Sequence, residues 1–300
     1  MNRGVVCAAL LLASALVPAQ EPQQPIRAQV TRVSMLFTVT DKRGHFVTDL
    51  NKNDFEVFEN KKAQNVLDFT SESNLPLRLA ILIDTSNSIR DRFRFQQEAA
   101  TNFINSVVRQ QDKAMVVGFD TEAELAADLT SDTHKLENAV RNLRPGGGTS
   151  LYDAMFYACR DKLMQDQPLY KFRRAMVILS DGEDNASHYS RDQALEMAQR
   201  SDTVIYTIST NISHIETDGD KVMKYFAEQT GGAAFFPFQA KDLNQSFENI
   251  ANELRHQYNL FYRPEPLKQD GEFHFVQIKV RGRKDLIVRA RRGYYARAES

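Results

Sequence analysis

The stretch Ala80-Ile81-Leu82-Ile83-Asp84-Thr85-Ser86-Asn87-Ser88 carries the reading of the fold. Four apolar residues end on an aspartate, and two serines follow at alternate positions. An apolar run this short, bounded by polar turn residues, reads as a buried parallel strand. Asp84 then stands at the carboxyl end of that strand, where open α/β sheets place their ligands. In a tight loop, Asp84, Ser86 and Ser88 can turn a carboxylate and two hydroxyls towards one point. All are hard oxygen donors. Magnesium takes an octahedral set of oxygens and keeps several waters, so few protein carboxylates can hold it. Taken alone, the stretch also suits an ordinary strand-to-helix loop whose Asp and Ser residues cap the next helix. The rest of the chain has to decide.

Outward from Asp84, strands alternate with helices, the pattern of a parallel sheet covered on both faces. Helical spacing predicts helices over Arg92–Arg109, Thr133–Leu143, Leu151–Met164, Arg191–Arg200, Lys221–Gln229 and Leu243–Gln257. Between them lie apolar strands at Ala114–Phe119, Ala175–Leu179 and Val204–Ser209, a short one at Ala233–Phe236, and an antiparallel edge at Ala123–Leu129. The expected fold class is therefore α/β, a doubly wound, mostly parallel, Rossmann-like sheet spanning residues 77–257. On either side the pattern changes to alternating β segments. Residues 30–76 read as hairpins, with strands at Val33–Thr40, Asp54–Glu59 and Ala63–Phe69. Residues 258–300 carry Tyr258–Tyr262, Phe273–Val280 and Leu286–Ala290. Each flank is too small for a core of its own, so the two are expected to pack together. Arg289, Arg291 and Arg292 read as a solvated face of the last strand, and Asp218-Gly219-Asp220 as a turn.

Composition narrows the function classes. With 38 Lys and Arg against 39 Asp and Glu, the chain lacks the basic footprint of a nucleic-acid binder. Residues 1–19 have the form of a cleaved export signal: Arg3, then an apolar run from Val5 to Val17, then Val17-Pro18-Ala19. That run is shorter than the roughly 20 residues of a membrane span. No later segment suits one, so no stable span is expected after cleavage, and the protein is expected to be secreted or periplasmic. Residues 20–29 read as a linker. Cleavage leaves Cys159 as the single cysteine, in an apolar helical run, and it is read as a buried small hydrophobe.

Two further loops join Asp84 at the same sheet edge. One is Pro145-Gly146-Gly147-Gly148-Thr149-Ser150, which lacks the lysine of a phosphate loop. The other is Ser180-Asp181-Gly182, after the strand Ala175–Leu179. Asp84-x-Ser86-x-Ser88, then Gly148-Thr149, then Ser180-Asp181-Gly182 resembles the metal-ion-dependent adhesion site of von Willebrand factor type A domains. The resemblance covers about residues 77–257. The flanks are similar to those of secreted bacterial proteins of the acidobacterial type related to this domain. The resemblance implies that Ser86 and Ser88 ligate a divalent cation directly and that Thr149 does so directly or through water. It assigns Asp84 and Asp181 mostly to water-mediated contacts. It implies Mg2+, with Mn2+ or Ca2+ equally compatible with oxygen donors. It also implies a protein partner whose Asp or Glu carboxylate completes the coordination.

The expected function is a non-enzymatic, metal-dependent protein-binding module. Two alternatives stand beside it: a structural envelope component with a stabilising metal, and a metal-dependent hydrolase. The hydrolase reading lacks both a G-x-S-x-G elbow and an H-E-x-x-H helix. Its one nearby histidine, His188, reads more simply as a solvated loop residue.

Overall fold

The computed structural model describes residues 32–71, 75–211, 215–237 and 240–298. The expected export signal and linker lie outside these residues. Elements are numbered along the chain. The strand Leu77–Asp84 (β5) is buried at every position, as is Arg173–Ser180 (β8). Their alternate residues feed two separate cores. Leu79, Ile81 and Ile83 face one side of the sheet, and Ala80 and Leu82 the other. A strand apolar on both faces needs helices on both faces, and the chain supplies three to each. On the first side lie α1 (Phe93–Val107), α2 (Thr133–Asn142) and α6 (Ala240–Arg255). On the second lie α3 (Leu151–Tyr157), α4 (Arg191–Arg200) and α5 (Asp218–Thr230).

The remaining central strands are β6 (Lys113–Phe119), β7 (Ala123–Thr130), β9 (Thr203–Ser209) and β10 (Ala234–Phe235). The sheet order is β10-β9-β8-β5-β6-β7, parallel except for the antiparallel edge strand β7. This is the expected α/β class. The strand ends of β5 and β8 therefore lie side by side, with Ile83 opposite Leu179. Asp218-Gly219-Asp220 is not a free turn but the first turn of α5. Thr217 caps it by accepting from the Asp220 amide at 3.1 Å, and the Asp220 carboxylate reaches back to the Thr217 amide at 3.0 Å.

The flanks form two four-stranded sheets, each woven from both ends of the chain. One has the order β13-β1-β11-β4 and the other β14-β12-β2-β3. The first contains β1 (Val33–Thr40), β4 (Val66–Thr70), β11 (Tyr258–Tyr262) and β13 (Ile287–Ala290). The second contains β2 (Phe55–Glu59), β3 (Lys62–Gln64), β12 (Phe273–Val280) and β14 (Gly293–Tyr295). Inward residues such as Met35, Phe37, Val57, Leu260 and Ile278 share one core. The extended run read as Ala63–Phe69 breaks at Asn65, so its two halves join different sheets.

The arginines of the last strand are not a solvated face. Arg289 pairs with the buried Glu253 of α6, and Arg291 pairs with Asp202 while donating to the Ser34 carbonyl at 2.7 Å. Only Arg292 of the three is exposed. The alternation of charged and apolar residues on this short strand could not show that its outward side meets the α/β layers. Cys159 is buried, and that burial pushes its thiol up to about 11.

Candidate metal centre

Asp84 ends a strand that is fully enclosed, and its own side chain is closed off with it, at 0% exposure. A carboxylate so placed must be hydrogen-bonded. One oxygen accepts from the Ser86 amide at 2.8 Å, which folds the loop back on itself. The other accepts from the Ser180 hydroxyl at 2.6 Å, tying the end of β5 to the end of β8. Ser88 Oγ donates to Asp181 Oδ2 at 2.8 Å. Ser86 Oγ lies 3.0 Å from Ser88 Oγ, and since the Ser88 proton is used on Asp181, Ser86 is the donor there. Four of the five sequence-derived residues thus form one hydrogen-bonded chain, Asp84–Ser86–Ser88–Asp181. The chain then continues through a single 3-10 segment, Asn87–Arg92, into α1.

Thr149, the fifth, comes to the same edge through its loop. The Gly146 amide donates to the Thr85 carbonyl at 2.6 Å, and Asn87 Nδ2 donates to the Gly147 carbonyl at 3.1 Å. Gly147 has φ +68°, and a Cβ there would lie 2.6 Å from Thr121 Oγ1, so the loop needs glycine at that point. The Thr149 amide donates to Asn185 Oδ1 at 2.9 Å, and its carbonyl accepts the amides of Asn185 and Ala186 at 3.0 Å each. The Thr149 hydroxyl makes no hydrogen bond among the described residues.

The Asp181 loop is fixed by two glycines in contact. A Cβ on Gly182 (φ +79°) would lie 2.2 Å from the Gly219 carbonyl oxygen, and one on Gly219 would lie 2.1 Å from that of Asp181. Asp184 holds the neighbouring helix start, accepting from the Tyr152 amide at 3.0 Å and the Ser187 hydroxyl at 2.6 Å. Ser180, Asn185 and Gly219 are thus positioning residues that sequence reasoning did not select. Ser180 was within the quoted motif, but nothing in spacing shows a hydroxyl aimed at a carboxylate 96 residues earlier. His188 is exposed and bonded to Asp153 at 2.9 Å, which raises its pKa, and no contact joins it to Asp181 among the described residues.

Electrostatics leave the site short of positive charge. Burial pushes the Asp84 carboxyl up to about 6, opposed by the hydrogen bonds from Ser180 and Ser86, while the nearby charge of Asp181 pushes it further. Among the described residues, no ion pair engages Asp84 or Asp181. Nor does any group of three or more His, Cys, Asp or Glu form a metal cluster. The donors at this edge are hydroxyls and two unpaired carboxylates. That set suits a hard dication and not the thiolate and imidazole centres typical of structural zinc.

A family model described as von Willebrand factor type A domain matches residues 79–183, which span Asp84 to Asp181. This chain carries a von Willebrand factor type A domain. A bovine relative, calcium-activated chloride channel regulator 1 (Bos taurus), is 27% identical over 177 residues, covering 55% of this chain and 18% of that protein. The chain thus spans less than a fifth of that relative's length. Among solved structures, the von Willebrand factor type A protein from Catenulispora acidiphila superposes with a TM-score of 0.54 at 14% identity, over 84% of this chain and 76% of that one. Proximal thread matrix protein 1 from the mussel byssus, solved with zinc in its MIDAS motif, gives 0.50 at 16% identity over 64% and 48%. At these identities the structures show the shared fold of the von Willebrand domain.

Proposed function

We propose that this chain is an exported protein-binding module whose carboxyl-edge site holds a divalent cation, Mg2+ in the first instance. Ser86 and Ser88 hold the ion through their hydroxyls, and Thr149 does so directly or through water. Asp84 and Asp181 orient those hydroxyls and water around it. The cation supplies a strong local positive charge with an open position, to which a Glu or Asp carboxylate of a protein partner binds. The observation that carries this reading is the hydrogen-bonded chain Asp84–Ser86–Ser88–Asp181 together with two carboxylates that have no cationic partner. The von Willebrand domain supports it, since such domains commonly mediate protein interaction or adhesion. Export is supported by the apolar run Val5–Val17. Among the described residues no helix is long and apolar enough to cross a membrane.

The test is capture of partners from envelope extracts by wild type and by Asp84→Ala, each with Mg2+ and with chelator. A partner retained by wild type in Mg2+ alone is the expected result. Equal retention in all four conditions sinks the reading. Calorimetric titration of the isolated chain with Mg2+, Mn2+ and Ca2+ identifies the preferred ion.

A further inference from the structure

Where the first flank sheet meets the α/β layers, one row of side chains runs across three strands. Thr38 of β1 stands opposite Arg289 of β13. On the other side of β1, Phe37 pairs with Tyr258, so Gln257 falls beside Thr38 one position along. The neighbours Phe37, Val39, Tyr258 and Val288 pack into the core between the flank sheets, which turns Thr38, Gln257 and Arg289 to the opposite face. That face meets the end of α6. Arg289 pairs with Glu253, four residues before Gln257, and Arg173 donates to the carbonyl of Leu254. The buried Tyr206 phenol lies beside the same Glu253 carboxylate.

Three polar atoms of this cluster have no hydrogen-bond partner among the described residues: Thr38 Oγ1, Glu253 Oε2 and Gln257 Oε1. Their residues are 3%, 4% and 4% exposed, so bulk solvent does not serve them. Buried polar groups are hydrogen-bonded as a rule, and three left over at one place call for an occupant. The Glu253 and Gln257 oxygens accept, while the Thr38 hydroxyl can donate. The occupant must therefore offer two protons and accept one. Two guanidiniums, Arg289 and Arg173, already face the single carboxylate, which makes a further cation a poor fit. Two accepting oxygens repel an anion. A neutral group with two protons and a free lone pair is water.

We infer that one water molecule is held at this seam, donating to Glu253 Oε2 and Gln257 Oε1 and accepting from Thr38 Oγ1. Three hydrogen bonds are the usual complement of a buried structural water. The water joins β1 to the end of α6 and adds a third tie to the ion pairs Arg289–Glu253 and Arg291–Asp202. It is independent of the metal-binding function.

The test is a high-resolution crystal structure of the full chain grown in rubidium chloride, beside melting curves of wild type, Thr38→Ser and Thr38→Val. Density for one water within hydrogen-bond distance of all three atoms is expected, with no anomalous signal from rubidium. Thr38→Val keeps the side-chain shape and suits a strand at least as well. It is nevertheless expected to melt roughly 2–4 °C lower, the shift for one net hydrogen bond in a chain of this size, and lower than Thr38→Ser, which keeps the hydroxyl. A hydroxyl that truly lacks a partner would make the valine neutral or stabilising, so an unchanged or raised melting temperature overturns the inference. Rubidium at the site overturns it in favour of a monovalent cation. Direct contact of Glu253 Oε2 with Gln257 Oε1, with no density between Thr38 and either, overturns it in favour of a protonated carboxyl. Should Thr38→Val not fold, the wild-type density alone decides.

Discussion

Ser180 and Gly219 do more at the site than their small side chains suggest. Ser180 supplies the one side-chain hydrogen bond to Asp84 Oδ2. Ser180→Ala should therefore leave the fold intact and weaken Mg2+ binding by about 10–100-fold, the usual effect of losing a partner that orients a metal site. Calorimetric titration beside a melting curve checks it, and unchanged affinity would show that Asp84 needs no positioning. Gly219 acts by having no side chain. An added methyl would lie 2.1 Å from the Asp181 carbonyl oxygen, so Gly219→Ala must push the Asp181 loop away from α5. A loss of about 1–3 kcal/mol in stability, the range for overpacking, is expected with weakened metal binding. Gly219→Ala with wild-type stability and metal affinity would show that the loop moves freely. The motif residues were legible because strand, turn and oxygen donors coincide in sequence. Ser180, Asn185 and Gly219 were not, because their roles arise only where separate loops touch.

The second flank sheet holds a buried polar network with a pH dependence of its own. On β12, His274 places Nδ1 2.9 Å from Glu59 of β2 and Nε2 3.0 Å from Asp270. Glu59 also accepts from Tyr262 of β11 at 2.7 Å and from Tyr294 of β14 at 3.2 Å, so the network joins both sheets. Burial lowers the imidazole pKa, but the carboxylates of Asp270 and Glu59 outweigh it and hold it above its ordinary value. A group raised on folding stabilises fully below its unfolded pKa, near 6.5, and loses that contribution as pH rises through the folded value. The melting temperature of wild type relative to His274→Gln should therefore be highest in mildly acidic buffer and fall as the pH rises past neutrality. A difference that stays constant over this range would mean that His274 is not charged in the folded protein. The alternation of β12 sets His274 on the same face as Val276, Ile278 and Val280, yet it could not show that Glu59 and Asp270 are the carboxylates the imidazole meets, because Glu59 comes from a strand 215 residues earlier.

Across the whole molecule, the central sheet gathers three loops from residues 84–88, 146–149 and 180–182 at one edge, while the two ends of the chain close into their own pair of sheets. Two ion pairs, Arg289–Glu253 and Arg291–Asp202, tie the last strands to α6 and to the loop before β9. A cation bound only by the folded form stabilises it by mass action, about 2.7 kcal/mol when its concentration is a hundred times Kd. Thermal unfolding should thus shift upward with Mg2+ and return on adding chelator, and Ser86→Ala with Ser88→Ala should abolish the shift. An equal shift in that double variant would locate the ion elsewhere.

The sequence by itself determined the α/β class, the order of strands and helices, and the three oxygen-bearing loops around Asp84. Those properties follow from local patterns: the apolar run of a doubly covered strand, helical spacing, and turn residues at strand ends. The tertiary structure alone decided that Ser180 braces Asp84, that Gly182 and Gly219 touch, and that Arg289 and Arg291 are pinned rather than solvated. Each depends on residues distant in sequence meeting in space, and no local pattern records which distant partner a side chain will meet.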